Sequence, residues 1–217
     1  KWNDARANAV RGYVVEYSRN AATHSNTGTI NVDSGATLKF VLNDILENSG
    51  DIKGSGTLDF SSENVFKNSG RIDVGDSDAT GTLTIKGTTE LKEDSELIFQ
   101  LAGETNDALS FTQGVTTLGG RLRINSTVTP TIGATFSIVT ATSLAGKFSE
   151  MLGLDFSTSV VLDYQESSGA SEDQINLVAV AVDVQGTSAN DTLSGTSAAE
   201  IITGGAGNDI VSFVGLN

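Results

Sequence analysis

The chain has no cysteine among its 217 residues, so disulfides, thiolate nucleophiles and cysteine-ligated zinc are excluded. Histidine occurs once, at His24, which removes every multi-histidine metal site. Within the polar run Ala-Thr-His-Ser-Asn, it reads as a solvated loop residue rather than a catalyst. Proline also occurs once, at Pro130. No apolar run reaches the roughly 20 residues of a membrane-spanning helix, and LVAVAV at 177–182 reads as a strand. No secretory leader opens the sequence. Its first residues read as the interior of a domain, so a piece of a longer protein is expected.

Positive charge is scarce. Thirteen Lys and Arg face 27 Asp and Glu, giving a formal net charge of −14. Without a basic patch to displace counterions from phosphates, nucleic acid is not expected as a partner. After Lys147 there is no Lys or Arg, while ten acids follow: Glu150, Asp155, Asp163, Glu166, Glu172, Asp173, Asp183, Asp191, Glu200 and Asp209. A tail charged in this way repels itself unless cations bind. A merely soluble surface is the alternative.

What is abundant is glycine, at 24 residues, with long Thr, Ser and Val runs. This composition suits short strands joined by tight turns and suits long helices poorly. The expected class is all-β. From residue 25 an Asn-X-Gly-X-Ile element recurs as Asn26/Gly28/Ile30, Asn48/Gly50/Ile52 and Asn68/Gly70/Ile72, at intervals of 22 and 20 residues. Such a period, with strands split by Gly and Asn, predicts a solenoid whose rungs stack about 4.8 Å apart. Its Ile, Leu and Phe side chains are expected inside, and its Gly and Asn in left-handed corners. The alternation continues through Leu83/Ile85, Leu91, Leu97/Phe99/Leu101, Leu109/Phe111, Leu118/Leu122/Ile124 and Phe136/Ile138. The runs FSTSVVLDYQ and DQINLVAVAV are expected to pair antiparallel and cap the stack.

The succession Gly81–Ile85, Leu97–Leu101, Asp107–Leu109 and Leu118–Leu122 resembles the end of the right-handed β-helical stalk of bacterial autotransporter and filamentous adhesin passengers. That resemblance spans residues 26–182 and is structural in content. At the other end, KWNDARANAVRGYVVEY resembles the close of a C-type lectin domain. There an Asn-Asp after Trp supplies calcium and sugar ligands, which implies Asn3 and Asp4 as calcium ligands. The family's cysteines and its upstream ligands are absent here, and a surface turn beside a strand is the alternative.

Carboxylate clusters were weighed as catalysts. Asp73, Asp76 and Asp78 fail as an EF-hand loop because the twelfth position from Asp76 is Gly87 rather than a bidentate Glu. They also lack an aromatic platform for a sugar ring, and a polar corner between rungs is the preferred reading. Glu93/Asp94 and Glu172/Asp173 read as solvated turns. No enzyme activity is expected.

The last third divides into GTSANDTLS, GTSAAEIIT and GGAGNDIVS, in phase at nine residues. The third copy, Gly204–Ser212, matches the GGxGxDxUx nonapeptide of RTX proteins at every specified position. The first two copies keep Gly186 and Gly195 at position one, Asp191 and Glu200 at six, and Leu193 and Ile202 at eight. Glycines free the backbone so that carbonyls converge on an ion, the acid adds charge, and the strand's aliphatic turns inward. The resemblance implies calcium as cofactor, with Asp191, Glu200, Gly205, Gly207, Asn208 and Asp209 forming its sites. It also implies two nonapeptides per turn of a β-roll, so that Asp191 and Asp209 share one edge and Glu200 takes the other. A Gly-rich linker with accidental spacing is the alternative.

The expected organisation is a lectin-like remnant over 1–20, a right-handed parallel β-helix with capping strands over 21–182, and the start of an RTX roll over 183–217. The repeats are expected to continue past Asn217. The corresponding function is a stalk in a secreted bacterial surface protein of adhesin type. Cell-surface glycans or surface receptors are its expected partners, and no membrane span is expected. A non-catalytic part of a secreted RTX-bearing or polysaccharide-acting enzyme is the alternative.

Overall fold

Strands of three to five residues are too short to build a core by pairing with their sequence neighbours. Here each pairs in parallel with the equivalent strand one turn later. The computed structural model describes residues 23–40, 45–60, 65–75, 80–126, 130–153, 158–167, 172–181, 184–195 and 202–213. Among them there is no helix, and none therefore long and apolar enough to cross a membrane. Asn3, Asp4, Asp76, Asp78, Glu200 and the run GYVVEY lie outside the described residues.

The first turn comprises β1 (Thr23–Asn26), β2 (Thr29–Val32) and β3 (Thr37–Lys39). The second has β4 (Ile45–Asn48), β5 (Asp51–Gly54) and β6 (Thr57–Asp59), and the third β7 (Val65–Asn68), β8 (Arg71–Val74) and β9 (Thr82–Lys86). The fourth has β10 (Thr88–Leu91), β11 (Glu96–Ala102), the short β12 (Thr105–Asn106) and β13 (Ala108–Thr112). The fifth has β14 (Thr116–Leu118), β15 (Arg121–Ser126) and β16 (Thr135–Ala141). β17 (Leu144–Gly146) and β18 (Glu150–Leu152) complete the stack. The three resulting sheets run β1-β4-β7-β10-β14-β17, β2-β5-β8-β11-β15-β18 and β3-β6-β9-β13-β16, the stacked parallel sheets of a β-helix.

The expected interior is observed. Ile52, Ile72, Leu97 and Leu122 form one in-register column without solvent exposure, and Phe99 stands over Ile124 in the next. One apolar cluster runs from Val32 to Ala179, with Phe60 stacked between Phe40 and Phe66 at centroid distances of 4.4 and 5.1 Å. His24 is not in a loop as expected. It lies on β1, in register with buried Leu46 and Phe66, because the turn that follows begins only after Asn26.

The recurring Asn-X-Gly has a different cause from the one expected. Neither its asparagines nor its glycines have left-handed backbone. Asn26 Nδ2 donates to Asn48 Oδ1, and Asn48 Nδ2 to Asn68 Oδ1, each at 2.6 Å. The same amides also donate to the carbonyls of Gly28, Gly50 and Gly70. This ladder satisfies buried polar groups at the corner, where an unpaired amide would be costly. Glycine follows because successive corners almost touch. A Cβ on Gly50 would stand 2.1 Å from Gly28 O, and one on Gly70 2.0 Å from Gly50 O.

Two antiparallel strands close the third sheet, as expected: β20 (Asp173–Ala181) pairs with β16, and β19 (Thr158–Gln165) with β20. Asp173 is not the solvated turn residue expected. It is buried, and its carboxylate accepts Leu144 N–H and Ser167 N–H, both at 2.7 Å, tying the cap to β17. Those two bonds, Ser167's foremost, hold its pKa below the usual carboxylate value. Tyr164 adds a second tie, its hydroxyl accepting Phe148 N–H at 3.1 Å while Lys147 Nζ lies 5.2 Å from its ring centre. Asp107 is buried between turns, accepting Gly81 N–H at 2.8 Å and Gln100 N–H at 2.7 Å. Burial outweighs those bonds and pushes its pKa up to about 6.

Two predictions follow from these contacts. Gly28 has only one atom near a would-be Cβ, at 3.9 Å, so Gly28→Ala should change urea-denaturation stability by less than about 0.5 kcal/mol. Gly50→Ala, at the equivalent site one turn on, should cost about 3 kcal/mol because backbone must move. Similar losses for both would refute the close-approach account. The second concerns pH. Folded Asp107 holds its proton more tightly than the unfolded chain does, so its contribution to stability falls as pH rises from 3.8 to about 6. Asp173 acts oppositely and below that window, its contribution being lost as pH falls under 3.8. Asp107→Asn should therefore flatten the slope of stability between pH 4 and 6, and an unchanged slope would rule out Asp107 as its source.

Candidate calcium site

The nonapeptide frame produces strand, loop and strand at equal spacing. β21 (Val184–Gln185) leads into the loop 186–191 and β22 (Thr192–Gly195). β23 (Ile202–Thr203) leads into the loop 204–209 and β24 (Ile210–Phe213). β21 pairs in parallel with β23 and β22 with β24, Thr192 meeting Ile210 and Leu193 meeting Val211. Every partner is 18 residues away, two nonapeptides, so loop 204–209 lies on loop 186–191.

Backbone and side-chain bonds join the loops. Gly186 N–H donates to Thr203 O at 2.7 Å, Ala206 N–H to Thr187 O at 3.1 Å, and Ile210 N–H to Asp191 O at 2.8 Å. Asp191 N–H donates to Asp209 Oδ1 at 2.9 Å, and Asn208 N–H to Asn190 Oδ1 at 2.7 Å. Gly205 and Gly207 adopt left-handed φ values of 89° and 128°. A Cβ on Gly205 would stand 2.0 Å from Thr187 O and 3.2 Å from Gly186 O, while one on Gly207 would meet Ala189 O at 2.5 Å. The first loop's carbonyls therefore approach the second loop's backbone so closely that only glycine fits at 205 and 207.

The donors suit calcium, which takes six to eight hard oxygens from carboxylates, carbonyls and water. Among the described residues no three acids or histidines gather into a carboxylate cage. Asp191 and Asp209 are on one edge, joined by the bond above, and Asp209 Oδ2 faces Gly204. Gly205 and Gly207 lie where the two loops approach, and Asn208 joins them through its backbone N–H. Among the eighth-position aliphatics, Leu193 is buried and Ile202 half-buried, whereas Val211 is 41% exposed, against the expected inward position. Among the described strands β22 and β24 pair only with each other, so pairing does not account for the difference between Leu193 and Val211.

Thr187 and Asn190 were not apparent as site residues. The only available signal was their place at frame positions two and five, where the third copy has Gly205 and Asn208. Against known families, the model of the RTX calcium-binding nonapeptide repeat (4 copies) matches residues 184–213, the segment from β21 to β24. RTX repeats are calcium-binding nonapeptide repeats. No curated protein matches the chain.

Gly205→Ala should separate the loops, through both the contact with Thr187 O and the left-handed φ. Hydrogen exchange should then show protection lost at 192–195 and 210–213 and kept in β4–β16. Protection retained at both strands of the pair would disprove the close stacking.

Proposed function

We propose that the chain is a non-catalytic, calcium-stabilised spacer in a secreted bacterial surface protein of adhesin type. In this reading residues 21–182 form a right-handed β-helical stalk and 183–217 open an RTX roll. Residues 1–20 close a lectin-like module in which Asn3 and Asp4 serve calcium, and cell-surface glycans or receptors are the partners. The observation that carries the proposal is the 18-residue register, which sets Asp191 and Asp209 on one edge of two closely stacked loops. The stalk reading is supported by the stacked parallel sheets, and secretion by the typical export of RTX proteins. In the groove on the first sheet Glu90 is engaged by both Lys67 and Lys92, which supports a structural rather than hydrolytic role for that carboxylate.

Calcium would be held by Asp191, Asp209 and the carbonyls of Gly186, Thr187 and Ala189, with Glu200 on the opposite edge. When bound, it supplies the positive charge that the acidic loops lack. Extracellular calcium modules bind with dissociation constants of about 10⁻⁴–10⁻³ M. At ten times that constant one ion adds about 1.4 kcal/mol to the folded form, and at cytosolic calcium almost nothing. Thermal unfolding of the roll, followed by hydrogen exchange at 210–213, should shift upward in millimolar calcium but not in equal magnesium. Asp209→Ala should abolish the shift. A response equal for both metals, or unchanged by Asp209→Ala, would defeat the calcium reading. Cleavage of a polysaccharide by the purified chain would defeat the non-catalytic one.

A further inference from the structure

We propose that Thr187 determines how far the first loop of the roll depends on calcium; the inference rests on the calcium reading above. Thr187 occupies the frame's second position, where the third copy has Gly205. Its N–H donates to Asp191 Oδ2 at 2.6 Å, and its hydroxyl donates to the same oxygen at 3.0 Å. The hydroxyl also accepts Ala189 N–H at 3.1 Å. Thr187 therefore closes the loop from 187 to 191, its backbone N–H and its hydroxyl placing two hydrogen-bond donors on one carboxylate oxygen.

Those donors neutralise part of the charge that a bound cation would otherwise meet. Loop 204–209 has no such group, because Gly205 brings no hydroxyl. Its acid instead accepts Asp191 N–H on Oδ1, and Ile210 N–H donates to Asp191 O. Both bonds join the second repeat to Asp191, the residue that Thr187 fixes. The order of dependence is therefore Thr187, then Asp191, then Asp209 and β24. Thr187 is a positioning residue: it shapes the lower loop before metal arrives, and the upper loop docks on that shape. A glycine at the same place would keep the N–H bond but lose both hydroxyl bonds, leaving the lower loop more dependent on calcium.

The test uses the full chain as wild type, Thr187→Val and Thr187→Ser, with exchange measured at 191–195 and 210–212 in chelator and in millimolar calcium. Thr187→Val keeps the branched shape and loses only the hydroxyl. In chelator it should lower protection by about tenfold, the effect of one hydrogen bond to a charged group. Calcium should restore it to near the wild-type value, and Thr187→Ser should behave as wild type throughout. Equal protection of wild type and Thr187→Val in chelator would overturn the inference. So would a loss that calcium does not restore, which would make the hydroxyl a latch unrelated to metal. Calcium calorimetry on wild type separates the two levels. Binding that persists while Thr187→Val has no effect refutes the role of Thr187 alone, whereas absence of binding removes the calcium reading and this inference with it.

Discussion

In-register parallel stacking makes each residue's nearest neighbour the residue at the same place one turn away, about 4.8 Å distant. Like therefore meets like along the whole stack, and a side chain is acceptable only if it tolerates its own kind as a neighbour. Apolar columns do so readily, as Ile52, Ile72, Leu97 and Leu122 show. Asparagine does so because its amide carries both a donor and an acceptor, so Asn26, Asn48 and Asn68 chain head to tail. At the corners backbone meets backbone, and there the only tolerable side chain is none.

Charge is the type that cannot neighbour its own kind, and the outer faces handle it by alternation. Across the second sheet the register brings together Asp51, Arg71, Glu96, Arg121 and Glu150, each sign opposite to the last. The first sheet repeats this with Glu47, Lys67 and Glu90, and the third with Lys39, Asp59 and Lys86. A cross-strand pair of opposite charges is worth only about 0.2–1 kcal/mol, and like charges directly opposite are destabilising. Against a continuous apolar core this is a small stabilisation. Its larger effect is on specificity, since slipping one turn against the next by a whole turn would set like charges together in several columns at once.

Much of this was legible from sequence because the core columns depend only on alternation, which is local. The cap strands were likewise legible as two β-branched runs. The charge ladders were not, because turns vary in length and the partner of Arg71 is fixed only once the loops between turns are known. Asp107 and Asp173 were missed for a related reason. A carboxylate next to a strand looks solvated until the backbone amides that receive it, Gly81 and Gln100 or Leu144 and Ser167, are brought from distant turns. The corner motif was found with the wrong cause assigned, since Asn and Gly suit left-handed backbone and side-chain ladders equally well in composition. In the roll the nine-residue frame was legible, and the resemblance to RTX repeats, which implies two nonapeptides per turn, put Asp191 and Asp209 on one edge.

That pairing sets the roll apart from the stack. Asp51 is followed one turn later by Arg71, but Asp191 is followed by Asp209, with no Lys or Arg anywhere after Lys147. Two carboxylates at a strand's spacing repel by about 1 kcal/mol even in water, and by more where the loop shields them from it. The bond from Asp191 N–H to Asp209 Oδ1 offsets part of that cost without removing either charge. In three columns the stack sets acids beside a base in the next turn, whereas Asp191 and Asp209 have none, so positive charge for that pair has to come from solution. Asp191, Asp209 and the loop carbonyls are hard oxygen donors, which suits calcium better than a soft transition metal. The same stacking constraint thus yields columns of alternating charge in the β-helical sheets and a carboxylate pair without a base in the nonapeptide repeats.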